Sequence, residues 1–392
     1  MDITATEFLK TATHTAEHFG FQSVDAYKRN SVCRHCKEKI EHSASATDKK
    51  LDALHGLLTS GMSSYTDSKM HALEEPVLFY SAEQVPRSGE VALSLQIFGV
   101  PKSIAEAILI QTTRALAIDL GYENHTIRIN SLGDRDSNTR YTRELTNYLK
   151  KRLDDMPPPA RELMKVHVLE ALMYLIEKEH DLAYRSPNPL EHLSDPSRKH
   201  FREIVEYLDM SETPYEIDPK LIGHHECYSD ALFALDIADA EGVKMTNPPV
   251  YIRGGRYSEF VHRHTKQEIS AAGAVIVLRD KKAPSRTPRA QKTAGPSVYV
   301  VQLGFGPKIT SLMLIDELRK EQVPVFQNLA CDSLSTQLRD AEARGVKYTV
   351  IIGQKEHVDH TVILRNMHAR SQEHVPIASL VSQLKRMSQA TV

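Results

Sequence analysis

The chain has no tryptophan, and Phe and Tyr together bring the aromatic share to only 6%. Few flat side chains are therefore on hand for stacking unpaired bases, which argues against a single-strand binder built on aromatic platforms. Four cysteines in 392 residues are too few for a disulfide framework, and reduced thiols in the cytoplasm are expected. No apolar run reaches the length of about 18 residues that a membrane span needs. Met1 to Glu7 lacks the basic and apolar segments of a secretory signal. Charge of one sign is missing as well: 49 Lys and Arg meet 51 Asp and Glu, for a net charge of −2. Attraction to nucleic acid would have to come from a local basic patch. Neither a G-x-x-x-x-G-K-[ST] phosphate loop nor a G-x-G-x-x-G dinucleotide fingerprint occurs. Spacing assigns no Ser or Cys nucleophile with a paired base.

What is present is length for two or three domains. Phe8, Leu9, Ala12, Ala16 and Phe19 recur at helical spacing and predict a helix over 5–20, stopped by Gly20. Residues 21–76 give no clear pattern. Strands are expected at 77–80 and 92–98, joined by a turn at Pro86-Arg87-Ser88-Gly89. A helix follows over 103–120, then a strand over 126–131. Helices at 134–153 and 161–178 are split by Pro157-Pro158-Pro159, and a further helix covers 196–209. Residues 214–219 read as extended, and 231–235 and 273–280 as strands.

The clearest boundary is 281–297, rich in Lys, Arg, Pro and Gly and almost free of apolar residues, which is linker composition. Beyond it, 298–392 alternates strand, helix, strand, helix, strand. That order predicts a small α/β domain with a mainly parallel sheet.

Four segments carry a resemblance. Ile127-Arg128-Ile129-Asn130-Ser131-Leu132-Gly133 is similar to an "lriNsrG" strand and turn, followed by a "YREALVEYL"-like helix at Tyr141–Leu149. Pro219-Lys220-Leu221-Ile222-Gly223-His224-His225-Glu226-Cys227-Tyr228-Ser229 resembles "PRLVRGLDYYT". Gly254-Gly255-Arg256-Tyr257, then Gly273-Ala274-Val275-Ile276-Val277-Leu278-Arg279-Asp280, resembles "GGRYD" and "GFAIGLER". Ser333–Leu338 with Ala341 and Gly345 is similar to "SLKKQLKYADKLGA", and Ile351-Ile352-Gly353 falls where that strand ends in "IIG". In this order the four identify the histidyl-tRNA synthetase family. The resemblance implies an α+β class II synthetase core over 1–280, an antiparallel sheet with helices and a helical insertion at about 134–210. After the linker it implies an anticodon-binding-like α/β domain over 298–392.

The implied reaction is attack of a carboxylate on the α-phosphorus of ATP. Both partners are anions, so the site needs guanidinium groups and Mg²⁺ where charge develops. At the family's positions this chain departs. Gly223 stands where "RGLDYY" has its arginine, and Asp280 where "GLER" ends. Gln96 stands for the acid of "E-x-x-G". The "FRxE" strand falls on Val77-Leu78-Phe79-Tyr80 without gaps, or on Tyr80-Ser81-Ala82-Glu83 after a three-residue slide; neither register restores the arginine. Arg87 is the nearest cation. An Arg-to-Asp change moves local charge by two units, and a like-charge contact at 4 Å costs about 4 kcal/mol at an effective dielectric of 20.

The expectation is thus a catalytically degenerate paralogue that binds tRNA or a protein partner. The alternative is a divergent active ligase using ATP and Mg²⁺. Ligand-pocket candidates are Glu226, Tyr228, Gly254, Gly255, Arg256 and Tyr257, with the two glycines read as a tight turn. RNA-binding candidates are Gln337, Arg339, Arg344 and Lys347, helped by the basic linker. Motif 1 of the family carries a proline at its dimer interface; here Gly20–Ala26 leads to Tyr27, which leaves a homodimer open. Cys33 and Cys36, with His35 and His42, fall short of a four-ligand zinc set, so no metal is expected.

Overall fold

The computed structural model describes residues 3–27, 49–73, 75–84, 90–224, 227–279 and 298–389. The Cys33–His42 cluster, Arg87, Glu226, Asp280 and the linker lie outside these.

An eight-stranded sheet organises the first part. Its strands are β1 (Gln22–Ser23), β2 (Val77–Gln84), β3 (Val91–Phe98), β4 (His125–Ser131), β5 (Tyr215–Ile217), β6 (Ser229–Ile237), β7 (Val250–Arg256) and β8 (Ala271–Leu278). They lie in the order β1-β2-β3-β8-β7-β6-β4-β5. The edge pairs β1–β2 and β4–β5 are parallel and the rest antiparallel. A largely antiparallel sheet with helices is what the motifs imply.

Helices cover both faces. On one lie α1 (Ala5–His18), α3 (Ile104–Asp119) and α8 (Asp195–Met210). Leu93, Leu95, Ile252, Ala274, Ile276 and Phe233 point into this layer. On the other lie α2 (Lys49–Asp67), α4 (Arg135–Lys150), α5 (Pro158–Val166), α6 (Val168–Glu177) and α9 (Ser258–Thr265), with a short α7 (Asp181–Tyr184). Because β8 is buried on both faces, it reads as an unbroken apolar run rather than an alternating one.

Local chemistry sets the helix ends. Thr4 caps α1 in a reciprocal box with Glu7, and Gly20 leaves the helix at φ +88°. Asp134 accepts from the backbone N–H of Ser137 to start α4. The helix expected over 161–178 is two helices, α5 and α6. His167 adopts an extended conformation between them, and its Nδ1 accepts from the backbone of Leu169. Helix α2 had no counterpart in the sequence reading. Gly56 and Gly61 lower its intrinsic helix propensity by about 1 kcal/mol each, so packing and not local preference holds it.

The second sheet runs β10-β9-β11-β12-β13. It comprises β9 (Val298–Gln302), β10 (Val325–Gln327), β11 (Tyr348–Ile352), β12 (Thr361–Asn366) and β13 (Gln372–Pro376). The first three are parallel, as expected, and a β11-β12-β13 antiparallel meander completes it. Helices α10 (Phe305–Lys320), α12 (Gln354–Val358) and α13 (Ile377–Gln389) accompany it, with α11 (Leu334–Ala343) on the opposite face beside Tyr299 and Val301.

The two sheets are joined through α1, α3 and α10. Arg319 on α10 bonds Asp119 on α3 at 2.6 Å, and Thr15 donates to the same carboxylate at 2.7 Å. Asp332 takes Lys102 and Lys308 at 2.5 and 2.7 Å. Gln327 donates to the Phe19 carbonyl at 2.8 Å.

His18 is buried in this joint, and its Nδ1 has no hydrogen-bond partner. Burial, with His14 and Arg319 adding to it, lowers its pKa to about 4. A histidine kept neutral in the folded state contributes stability that is complete above the unfolded pKa of about 6.5. That stability is lost as pH falls towards 4. The expected loss is about 3 kcal/mol. Urea unfolding at pH 7 and pH 4.5 should show a drop that His18→Phe reduces; equal drops in both proteins would refute the assignment.

Candidate ligand face and RNA-binding module

The strand register aligns two rows across the face beneath α2. One row is Phe79, Gln96, Gly273, Gly255, Leu232 and Asn130, each paired with the next. The other is Ser81, Ser94, Val275, Arg253, Ala234 and Arg128. Gly254 and Arg256 point the opposite way, into the helix layer, because side chains alternate along a strand.

The expected turn at Gly254-Gly255 is absent. Both residues continue β7, and their lack of a side chain serves close approach. A Cβ on Gly254 would sit 2.6 Å from the Phe233 ring, and one on Gly255 2.7 Å from the Ala231 carbonyl oxygen. Arg256 is buried in the helix layer. It is 4% exposed and forms a two-pronged pair with Glu106 of α3, at 2.7 and 2.8 Å. It also donates to the carbonyls of Val100 and Lys102. His200 of α8 bonds the same carboxylate at 2.9 Å. Burial alone would raise the Glu106 pKa, but Arg256 and His200 outweigh it and hold the carboxyl at about 2.

Tyr228, Gly255 and Tyr257 do come together. The fully buried Tyr257 hydroxyl donates to Gln96 Oε1, while Gln96 Nε2 donates to Ser94 at 2.6 Å. The Tyr228 ring packs on Gly223 and Gly255, and its hydroxyl has no partner.

The phase of β2 decides between the two sequence registers. Val77, Phe79, Ser81 and Glu83 face α2, whereas Leu78 and Tyr80 face the helix layer. In "FRxE" the arginine and the acid share a face, so the slid register alone puts both on the side of Gln96 and Gly273. There Ser81 stands for the arginine and Glu83 for the acid. Glu83 accepts from Ser81 at 2.8 Å and from Ser60 of α2 at 2.9 Å.

Helix α2 seals this face. Leu57 meets Ala92, Val275 and Val277, while Leu58, Met62 and Tyr65 join the cluster of Phe79, Phe98 and Tyr257. Tyr65 stacks on Phe98 with ring centroids 4.0 Å apart. A Cβ on Gly61 would lie 2.6 Å from the Gln96 amide, so glycine is what lets the helix come this close. Among the described residues the two rows hold cations at one end only, Arg253 and Arg128. Arg128 is already neutralised by Asp218 and Asp236. Arg279 leaves the end of β8 and donates to Asn247.

In the second sheet, Gln337 is not on the surface. It is 1% exposed, and its amide ties α11 to β9 through the Gln302 backbone at 3.1 and 3.0 Å. Arg339 and Lys347 are exposed. Arg344 bonds Asp340 at 2.9 Å and stacks on Phe326 at 3.2 Å, at the mouth of a cleft between the sheets. Sequence reading missed a strip formed by Ile363 opposite His374 and Arg365 opposite Gln372. His374 and Gln372 are exposed and Arg365 half-buried. β13 is exposed except at Val375, while β12 alternates half-buried and buried positions from Thr361 to Leu364. Among the described residues no three metal-ligating side chains converge, and no helix is long and apolar enough to cross a membrane.

Residues 297–387 match a family model described as an anticodon binding domain. A histidine–tRNA ligase of Geobacillus sp. is 25% identical over 313 residues, spanning 79% of this chain and 73% of its own. That of Fervidobacterium nodosum is 27% identical over 319 residues, spanning 80% and 73%. The apo Staphylococcus aureus histidyl-tRNA synthetase structure aligns at a TM-score of 0.48 with 15% identity, covering 98% of this chain and 97% of its own.

Proposed function

Because the chain belongs to the histidyl-tRNA synthetase family, we propose that it is a member that binds tRNA without activating an amino acid. The observation that carries this reading is the seat of α2 on Gln96 through Gly61. ATP on this face would have to displace α2 and expose Leu57, Leu58, Met62 and Tyr65, at about 1.5–3 kcal/mol for each large apolar side chain. It would then meet Ser81, Gln96 and Gly273, none of which neutralises phosphate.

The RNA would be held by the second sheet. Arg339, Lys347 and the Arg365–His374 strip supply charge and flat surface, and the basic segment 281–297 adds phosphate attraction. In this reading the domains divide at that segment. A protein partner has no comparable support, because the matching family model is an RNA-binding one by its description.

The test has two arms. ATP–pyrophosphate exchange with histidine and Mg²⁺ is expected at background, and turnover above background would establish the divergent-ligase reading instead. Filter binding with tRNA across a salt series should give a linear log–log slope. Lys347→Ala and Arg339→Ala are each expected to reduce that slope by about one counterion. No binding at low salt would remove the RNA claim.

A further inference from the structure

Beside the sealed face lies a cleft of about 200 Å³. Its floor is Arg253 of β7 and its far wall is α6. Arg253 is hydrogen-bonded to the Ile222 carbonyl at 2.6 Å and to the Tyr251 hydroxyl at 3.4 Å. Its Nε is buried with no acceptor, and no carboxylate bonds it among the described residues. Arg128, next along the floor, differs: Asp218 and Asp236 both hold it. An unpaired guanidinium in a desolvated place is unfavourable by itself, and an anion in the cleft removes that cost.

The walls define what such an anion must look like. Met173 and Tyr174 of α6 line the cleft while still half-exposed, so an apolar body would complete their burial. Glu170 and Glu177 stand on the same helix. Against the cations Arg253 and Lys220, these two carboxylates leave no surplus of positive charge for a doubly negative ligand, which disfavours phosphates and dicarboxylates. The volume suits a small molecule and is too little for a nucleotide.

We propose that this cleft binds a small monocarboxylate with an apolar or aromatic body, its carboxylate on Arg253 and its body against α6. The site is independent of the RNA-binding reading, since none of its residues belongs to the second sheet.

The probe is 3-phenylpropionate, titrated into the full chain and followed by ligand-observed NMR. Saturable binding with a dissociation constant on the order of 1 mM is expected. The uncharged 3-phenylpropanol should bind at least about tenfold more weakly, a charge-assisted hydrogen bond being lost. Arg253→Met should abolish binding and raise the melting temperature, because it removes the unpaired charge. Met173→Trp, which leaves Arg253 in place and fills the cleft, should also abolish binding. No saturation by the acid would overturn the proposal. So would equal affinity for the alcohol, or unchanged binding in either folded variant.

Discussion

Truncating Arg256 to alanine is expected to lower the unfolding free energy by about 3–5 kcal/mol, read from the urea midpoint at constant m-value. The residue sits in a resembling motif and looks like a ligand contact in the sequence. The structure instead makes it the counter-charge of Glu106, which is 1% exposed and joins α3 to β7. Removing the guanidinium leaves a buried carboxylate with His200 as its remaining hydrogen-bond partner among the described residues. The double change Arg256→Met with Glu106→Leu should recover most of the loss, since apolar replacement of a whole buried pair is often close to neutral.

The pH dependence has a definite sign. A carboxyl held at about 2 contributes stability that is present above its unfolded pKa of about 4.5 and lost as pH falls towards 2. In Arg256→Ala that acid-side loss should shrink. A single variant as stable as the parent would sink the assignment.

Putting the family's arginine back at position 223 is expected to destabilise the protein by about 3 kcal/mol or more, with no gain in ATP–pyrophosphate exchange. A Cβ at Gly223 would lie 2.2 Å from Cδ2 of Tyr228, whose ring is itself 4% exposed. The tyrosine cannot swing away freely, because Gly255 backs its other edge at a distance that also excludes a side chain. Gly223→Ala isolates the steric part and should cost about 1–3 kcal/mol. Measured activation of exchange by Gly223→Arg would count against the reading of a closed face.

These two positions show how far the residues alone could be read. The order of strand, turn and helix around Ile127–Gly133 and the glycine-led strand to Leu278 were legible because period and motif agreed there. The expected α/β order after 298 was legible for the same reason. Helix α2 was not, since Gly56, Gly61 and a Ser- and Thr-rich composition give weak local preference. The break at His167 was not, because an extended residue between two helical patterns leaves their period almost intact. The register of the "FRxE" strand stayed ambiguous until its pairing with β3 placed Ser81 and Glu83 under α2.

The family resemblance and the absence of arginine at positions 223 and 81 or 78 belong to the sequence by itself, because identity and spacing are written in it directly. The tertiary structure alone decided which side chains face each other. It turned Gly254 and Arg256 away from the face beneath α2, took Gln337 into the core, and placed Gly61 against Gln96. The physical reason is that burial and charge pairing are set by residues far apart in the chain. The 150-residue separation of Arg256 and Glu106 has no local signature.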